Sequence, residues 1–401
     1  MVSDDALRQD RELEQALNEG LLTLLDRFDH DYLGRRLRHQ VDHIARFFGA
    51  GRPGLHLEEL ELLFSWVERG MHLLGLAEHA EKNVLELEVS FNRFNLPGLP
   101  PAFEGLGVLH LSDLHLDCPI SHGKSLSAAI GERVRDLDFD LCVLTGDFRF
   151  ATRGDYLPAM RELSQLMPFL RCPLGVFGVL GNHDFIEQVP LLEHLGVTML
   201  VNESRAIERG GDTIHLVGVD DPHFYHTDDL RRACVDLPDD AFAIGLVHSP
   251  ELAGQAARMQ RLALYLCGHT HGGQLCLPGG RALYLNARCP RRLCAGRWRV
   301  GDLAGYTSRG TGSSGMPARF NCPPEVALHR IYGLQKNNRA LDRTLLSGDN
   351  WVDSLVGTNA TVRLPCHFHL SSQQENWLLP PGSPWAQRTR WSLEAHPPRS
   401  I

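Results

Sequence analysis

Between residues 106 and 272 the chain repeats one small pattern: a short apolar run that stops on a polar, metal-competent side chain. "GVLHLS" runs into Asp113 and His115, "LCVLTG" into Asp147, and "VFGVLG" into Asn182, His183 and Asp184. "AIGLVH" ends on His248, and "LALYLCG" runs into His269 and His271. Runs this short, bounded by glycine and polar loops, read as buried strands. Helical or irregular stretches separate them, so the pattern predicts an α/β sheet with its chemistry at the strand ends.

The side chains at those ends suit metal ions. Residues i and i+2 leaving an extended strand point to one side. On that rule Asp113/His115 and His269/His271 each present two groups to one site, and Asn182 ligates while His183 faces a substrate. Gly146, Gly181 and Gly268 allow tight turns and close backbone approach there. Mixed carboxylate, imidazole and amide-oxygen donors suit borderline metals such as manganese, iron or zinc. The expectation is a distributed two-metal site.

Composition narrows the class. The net charge of −9 and the pI near 6.1 argue against a surface built for nucleic-acid phosphates. The ten cysteines are scattered with no CxxC pair, as expected of reduced thiols in a cytosolic protein. The first thirty residues have no basic start followed by an apolar core, so no signal peptide is expected. The most apolar candidate span, "LELLFSWVERGMHLLGL", is interrupted by Glu68 and Arg69 and reads as an amphipathic helix.

Three regions follow. Residues 1–100 are expected to be helical, with a third helix starting near Leu57, then a strand in "VLELEVSFNRF" and a Pro/Gly hinge in "NLPGLPPAFEG". Residues 101–334 carry the strand–ligand pattern. Residues 335–401 lack a sustained period and are expected to be irregular, possessing no assigned role.

"DLH", "GD", "GNHD", a lone histidine and "GHTH", in that order over residues 105–333, resemble the calcineurin-like metallophosphoesterase superfamily. The trailing "GGQ" and "GTGSSGMPARFNCPPEVALHRI" resemble a bacterial branch of membrane-associated phosphodiesterases and UDP-2,3-diacylglucosamine hydrolases. The resemblance implies a four-layer α-β-β-α sandwich, here with an N-terminal helical extension. It implies that Asp113, His115 and His271 hold one divalent cation, that Asn182, His248 and His269 hold a second, and that Asp147 bridges them. His183 then protonates the leaving oxygen or meets the phosphate, and Asp184 orients His183. The implied reaction is hydrolysis of a phosphodiester or pyrophosphate by a bridging hydroxide. The implied substrate is a phosphorylated small molecule or a lipid-linked one, met in the cytoplasm or at the inner membrane surface.

Two other readings stand beside it. One is a soluble nucleotide phosphodiesterase. The other is a non-catalytic scaffold of the same fold, which the intact ligand set disfavours. Among neighbouring residues, Arg149 either contacts a substrate phosphate or points to solvent. Arg319 and Gln274 either reach the substrate or lie on the surface. Asp220 and Asp221 either form a loop turn or support the site, while His122, His223 and His226 read as ordinary loop histidines.

Overall fold

The computed structural model describes residues 20–47, 61–121 and 123–334, together with residues 13 and 15. The expected irregular tail, His122 and the expected helix start at Leu57 lie outside the described residues. In chain order the strands are β1 (Glu88–Leu96), β2 (Leu106–Leu111), β3 (Leu141–Leu144), β4 (Val176–Gly178), β5 (Val197–Met199), β6 (Glu203–Arg209) and β7 (Asp212–Gly218). They continue with β8 (Ala243–Leu246), β9 (Leu264–Cys267), β10 (Cys276–Leu277), β11 (Arg281–Ala282), β12 (Gly296–Val300), β13 (Leu303–Thr307) and β14 (Glu325–Gly333).

Two six-stranded sheets result, ordered β1-β14-β2-β3-β4-β5 and β12-β13-β9-β8-β7-β6, with β10 and β11 as a separate hairpin. β2 to β5 run parallel, as do β7, β8, β9 and β13. The alternation along each strand explains how the sheets stack. In β2 and β3, Leu106, Val108, Leu141 and Val143 point inward, where they meet Ile244, Leu246, Leu264 and Leu266 of the second sheet. Leu109, Leu111, Cys142 and Leu144 point outward, under the helices Leu126–Val134 and Leu157–Leu170. Tyr265, Cys267 and Val247 pack outward under the helix Ala253–Met259. Strands buried on both faces must be largely apolar, as these runs are apart from His110 of β2. The outcome is the four-layer α-β-β-α sandwich.

β1 pairs in parallel with β14 along its full length, so the strand before the Pro/Gly stretch lies in the same sheet as the strand after it. The helix His30–Phe47 lies against the sandwich through Tyr32 and Leu33, which join the outer core of the first sheet. Among the described residues no helix is long and apolar enough to cross a membrane. The nine cysteines of the described residues are all free thiols.

Candidate metal centre

The C-terminal ends of β2, β3, β4, β8 and β9 converge from both sheets on one buried cluster. Three groups of side chains there have ligand atoms within 4.8 Å of one another: Asp113/His115/His271, Asp147/His248/His269 and His115/Asp147/His183. The backbone that delivers them is unusual. Asp113, His115, Asp147, His269 and His271 all have positive φ, between 42° and 70°. Left-handed conformations of such residues are rare and cluster at functional sites. The sequence rule that i and i+2 leave an extended strand on one side therefore does not operate here. Strand β2 has already ended at Leu111, and tight left-handed turns aim Asp113 and His115. Two glycines make room. Gly146 has a φ of 90°, and a Cβ on Gly268 would lie 1.9 Å from Ser112 Oγ and 2.2 Å from Asp113 Oδ2.

The hydrogen bonds assign protons within the cluster. His115 Nδ1 donates to the Arg149 carbonyl at 2.7 Å, and His248 Nδ1 donates to the Thr145 carbonyl at 2.8 Å. A neutral imidazole carries one N–H, so each of these rings turns a bare Nε2 lone pair inward. His248 Nε2 lies 2.8 Å from Asn182 Oδ1, itself an acceptor, and His269 Nδ1 lies 2.9 Å and 3.2 Å from these two atoms. His115 Nε2 lies 3.2 Å from His271 Nε2 and 3.7 Å from Asp147 Oδ2, while His271 Nε2 is 3.4 Å from Asp113 Oδ1. Donor atoms bound to one cation at about 2.1 Å stand about 3.0 Å apart at right angles and about 3.4 Å apart at tetrahedral angles. The donor set and its spacing fit divalent cations.

Charge points the same way. Burial alone would raise the Asp147 carboxyl, but His248, His183 and His115 around it hold it well below the usual carboxylate range. Burial opposes protonation of His248, yet Asp147 and Asp113 raise it well above the usual imidazole range. The carboxylates thus demand a cation at this spot, and a proton on His248 is what they attract when no metal competes. Burial pushes His269 and His271 well down, which keeps them neutral and able to ligate.

Residues 106–273 match the family model described as calcineurin-like phosphoesterase. The phosphodiesterase YaeI of Escherichia coli is 30% identical over 230 residues, an alignment covering 55% of this chain and 80% of YaeI. The chain belongs to the calcineurin-like phosphoesterases. The metallophosphoesterase YkoQ of Bacillus subtilis is 27% identical over 263 residues, covering 63% of this chain and 93% of YkoQ. A transmembrane protein with a metallophosphoesterase domain from Bos taurus is 30% identical, and the alignment spans only 59% of it.

In this phosphoesterase, Asp184 does something other than orient the His183 ring. Its carboxylate accepts the backbone N–H groups of Asp147, Phe148 and Gly181 at 2.8, 3.0 and 2.9 Å, locking two ligand loops together. Burial, then the neighbouring Asp147, pushes its carboxyl up to about 7. The His183 ring is fixed instead by Nδ1 donation to the Phe150 carbonyl at 2.6 Å. Its Nε2 lies 3.3 Å from Ser314 Oγ and 3.8 Å from Asp147 Oδ2, and burial pushes the imidazole down to about 3.

Arg319 does not lie on the surface. It is fully buried, and its guanidinium donates to the carbonyls of Arg309, Gly310, Gly312 and His271. Those acceptors come from two loops, so Arg319 braces the "GHTH" turn. Gln274 is likewise a strut, bonded to the backbone of Ser314 and Met316. Arg149 does not point to solvent, having no exposed surface.

His223 was not legible as a site residue. It is buried, its ring lies 4.0 Å from that of His269, and its Nδ1 is 3.0 Å from Glu251 Oε1. Asp221 sets this up by accepting the backbone N–H groups of His223, Phe224 and Tyr225. Asp220 instead receives Arg36 Nε at 2.9 Å, the Tyr32 hydroxyl at 2.7 Å and the Thr227 hydroxyl at 2.6 Å. Arg36 also donates to the Asp184 carbonyl at 2.9 Å and stacks on Tyr225, 3.4 Å from its ring centroid. The helix His30–Phe47 therefore pins the loop after β4 to the loop after β7. No motif in the sequence signals that contact, since the partners lie 148 and 184 residues away.

Proposed function

We propose that this chain is a phosphodiesterase whose centre holds two divalent cations. Asp113, His115 and His271 hold one, Asn182, His248 and His269 hold the other, and Asp147 is shared. The observation that carries this reading is the approach of His248 Nε2, Asn182 Oδ1 and His269 Nδ1 to within 3.2 Å of one another. Acceptor atoms packed this closely in a buried site need a cation among them, a metal ion or, in its absence, the proton on His248. Manganese, iron or zinc suits the mixed donor set. When bound, a pair of such ions supplies charge neutralisation at phosphorus and a water acidified to a pKa of about 7.

The remaining work falls to the chain's own residues. His183 presents Nε2 toward the centre, bare in the neutral ring because Nδ1 donates to the Phe150 carbonyl; an anionic phosphate entering there would favour a proton on Nε2, and from that atom the proton would pass to the leaving oxygen. Asp184 keeps the loops carrying Asp147 and Asn182 at a fixed separation. A diester substrate is favoured over a monoester by the similarity to the phosphodiesterase YaeI.

The test is hydrolysis of bis-p-nitrophenyl phosphate and p-nitrophenyl phosphate with added manganese, with bound metal measured by mass spectrometry. Wild type should cleave the diester, and Asp147→Asn should lose both metal and turnover. A manganese-loaded wild type no faster than Asp147→Asn on either compound would refute the proposal. His183 also lies within reach of His115 and Asp147, which favours a second reading in which it is itself a ligand. His183→Ala separates the two: full metal content with low turnover marks a proton carrier, and lost metal marks a ligand.

A further inference from the structure

Arg149 is a buried cation that the metal centre does not use. Its side chain has no exposed surface, and Nη2 donates to the carbonyls of Arg153 and Gly154. Its Nε and Nη1 are buried and meet no acceptor. The guanidinium lies over the Phe185 ring, 4.7 Å from the centroid. Gln188 is bound at the same residue: its Oε1 accepts the Phe185 N–H at 2.5 Å, and its buried Nε2 also meets no acceptor. Two side chains around one aromatic residue thus hold N–H groups with nothing to receive them.

A guanidinium cannot shed its charge by deprotonation. Leaving part of it desolvated and unbonded is costly, and such a group in a folded protein needs an explanation. Asp117, Asp184 and Asp155 lie close enough to offset part of its charge, but none of them bonds it. Asp117 accepts the Phe150 N–H, Asp155 accepts the Leu157 N–H, and Asp184 holds its three amides. Water would satisfy the neutral amide of Gln188, whereas Nε and Nη1 of Arg149 offer two N–H groups of one guanidinium, and guanidinium groups match oxyanions in shape and charge.

The position gives the anion a purpose. The Arg149 carbonyl receives His115 Nδ1, the next carbonyl along receives His183 Nδ1, and Phe185 directly follows Asp184. We propose that Arg149 and Gln188 form a buried oxyanion subsite beside the metal centre, which takes a phosphate group other than the one being cleaved. Residues 151–155, half-buried to exposed, are tied to Arg149 through the Arg153 and Gly154 carbonyls, and on this proposal they are the short loop that gives way on entry. Such a phosphate comes either with the substrate, as a second phosphate, or free from solution. The inference rests on the phosphodiesterase reading only for the first source.

The test begins on full-length protein stripped of metal by chelator, where binding does not depend on turnover. Thermal midpoints are compared in inorganic phosphate and in chloride of equal ionic strength. Wild type should gain roughly 3 °C or more at saturating phosphate, Arg149→Lys should keep part of the gain, and Arg149→Met should lose it. Equal gains in wild type and Arg149→Met, or no gain in wild type, would overturn the proposal. The source is read from metal-loaded protein, as the ratio of kcat/KM for a p-nitrophenyl diester bearing a second phosphate to that for one without. A fall of at least tenfold in this ratio for Arg149→Met assigns the subsite to the substrate. An unchanged ratio, with the phosphate stabilisation still dependent on Arg149, assigns it to free phosphate.

Discussion

A pair of buried histidines between the two sheets should make the fold acid-sensitive, and the size of the effect can be worked out. His110 of β2 and His329 of β14 are fully buried, with His110 Nδ1 3.2 Å from His329 Nε2 and His110 Nε2 2.9 Å from Thr145 Oγ1. Phe94 and Tyr306 enclose His329, with ring centroids 5.6 and 4.7 Å away. Burial pushes His110 down to about 3, while burial, His110 and Arg297 push His329 well below the usual imidazole range. Both rings are therefore neutral in the folded chain well below pH 6. The unfolded chain binds two protons there as pH falls through about 6.5, so stability is lost on acidification and regained as pH rises.

At pH 5 each ring sits about 1.5 units below its unfolded pKa, which at about 1.4 kcal/mol per unit costs roughly 2 kcal/mol. Urea unfolding of chelated protein at pH 7.5 and 5.0, followed by circular dichroism, measures the loss. In His329→Phe the difference between the two pH values should shrink by about 2 kcal/mol relative to wild type, whatever the variant's baseline stability. Identical pH differences in the two proteins would refute the assignment of neutral, proton-excluding rings.

Other consequences are as direct. Gly268→Ala places a methyl where Ser112 Oγ and Asp113 Oδ2 now stand, and should weaken metal binding at least tenfold, measured by competition with a chelator dye. Arg36→Met leaves Asp220 buried without its cation and should cost about 3–5 kcal/mol in urea unfolding. A loss below 1 kcal/mol would refute the claim that Asp220 depends on Arg36 for its burial. Chelation should lower the thermal midpoint of wild type, and manganese should restore it, with no such response in Asp147→Asn.

Much of the fold could be read from the chain because strands buried on both faces have to be apolar, so "LCVLTG" and "LALYLCG" announce themselves. The candidate ligands were legible for a related reason: a polar residue directly after such a run lies where parallel strands end. What the chain hid were contacts between distant segments. Nothing in "GRRLRHQ" says that Arg36 will bridge Asp220 and the Asp184 carbonyl. Nothing in "MPARF" says that Arg319 will be enclosed by carbonyls, because burial of an arginine depends on acceptors supplied from elsewhere. His223 was hidden by its turn, since Asp221 gathers three amides and so brings an unremarkable loop histidine against His269. The left-handed turns at Asp113 and His115 were hidden too, as φ is not written in residue spacing.

The parallel pairing of β1 with β14 has a practical consequence for anyone attaching a partner to this protein. Glu88 and Glu325 sit side by side where the ligand-bearing strands end, and Arg309, one residue from a carbonyl that receives Arg319, holds both. β14 then travels nine residues away, about 30 Å, before the described chain stops just past Gly333. A reporter or tether joined after that strand emerges at the face remote from the chemistry. One spliced in just ahead of β1 emerges beside it, and would be placed to sense or obstruct what enters.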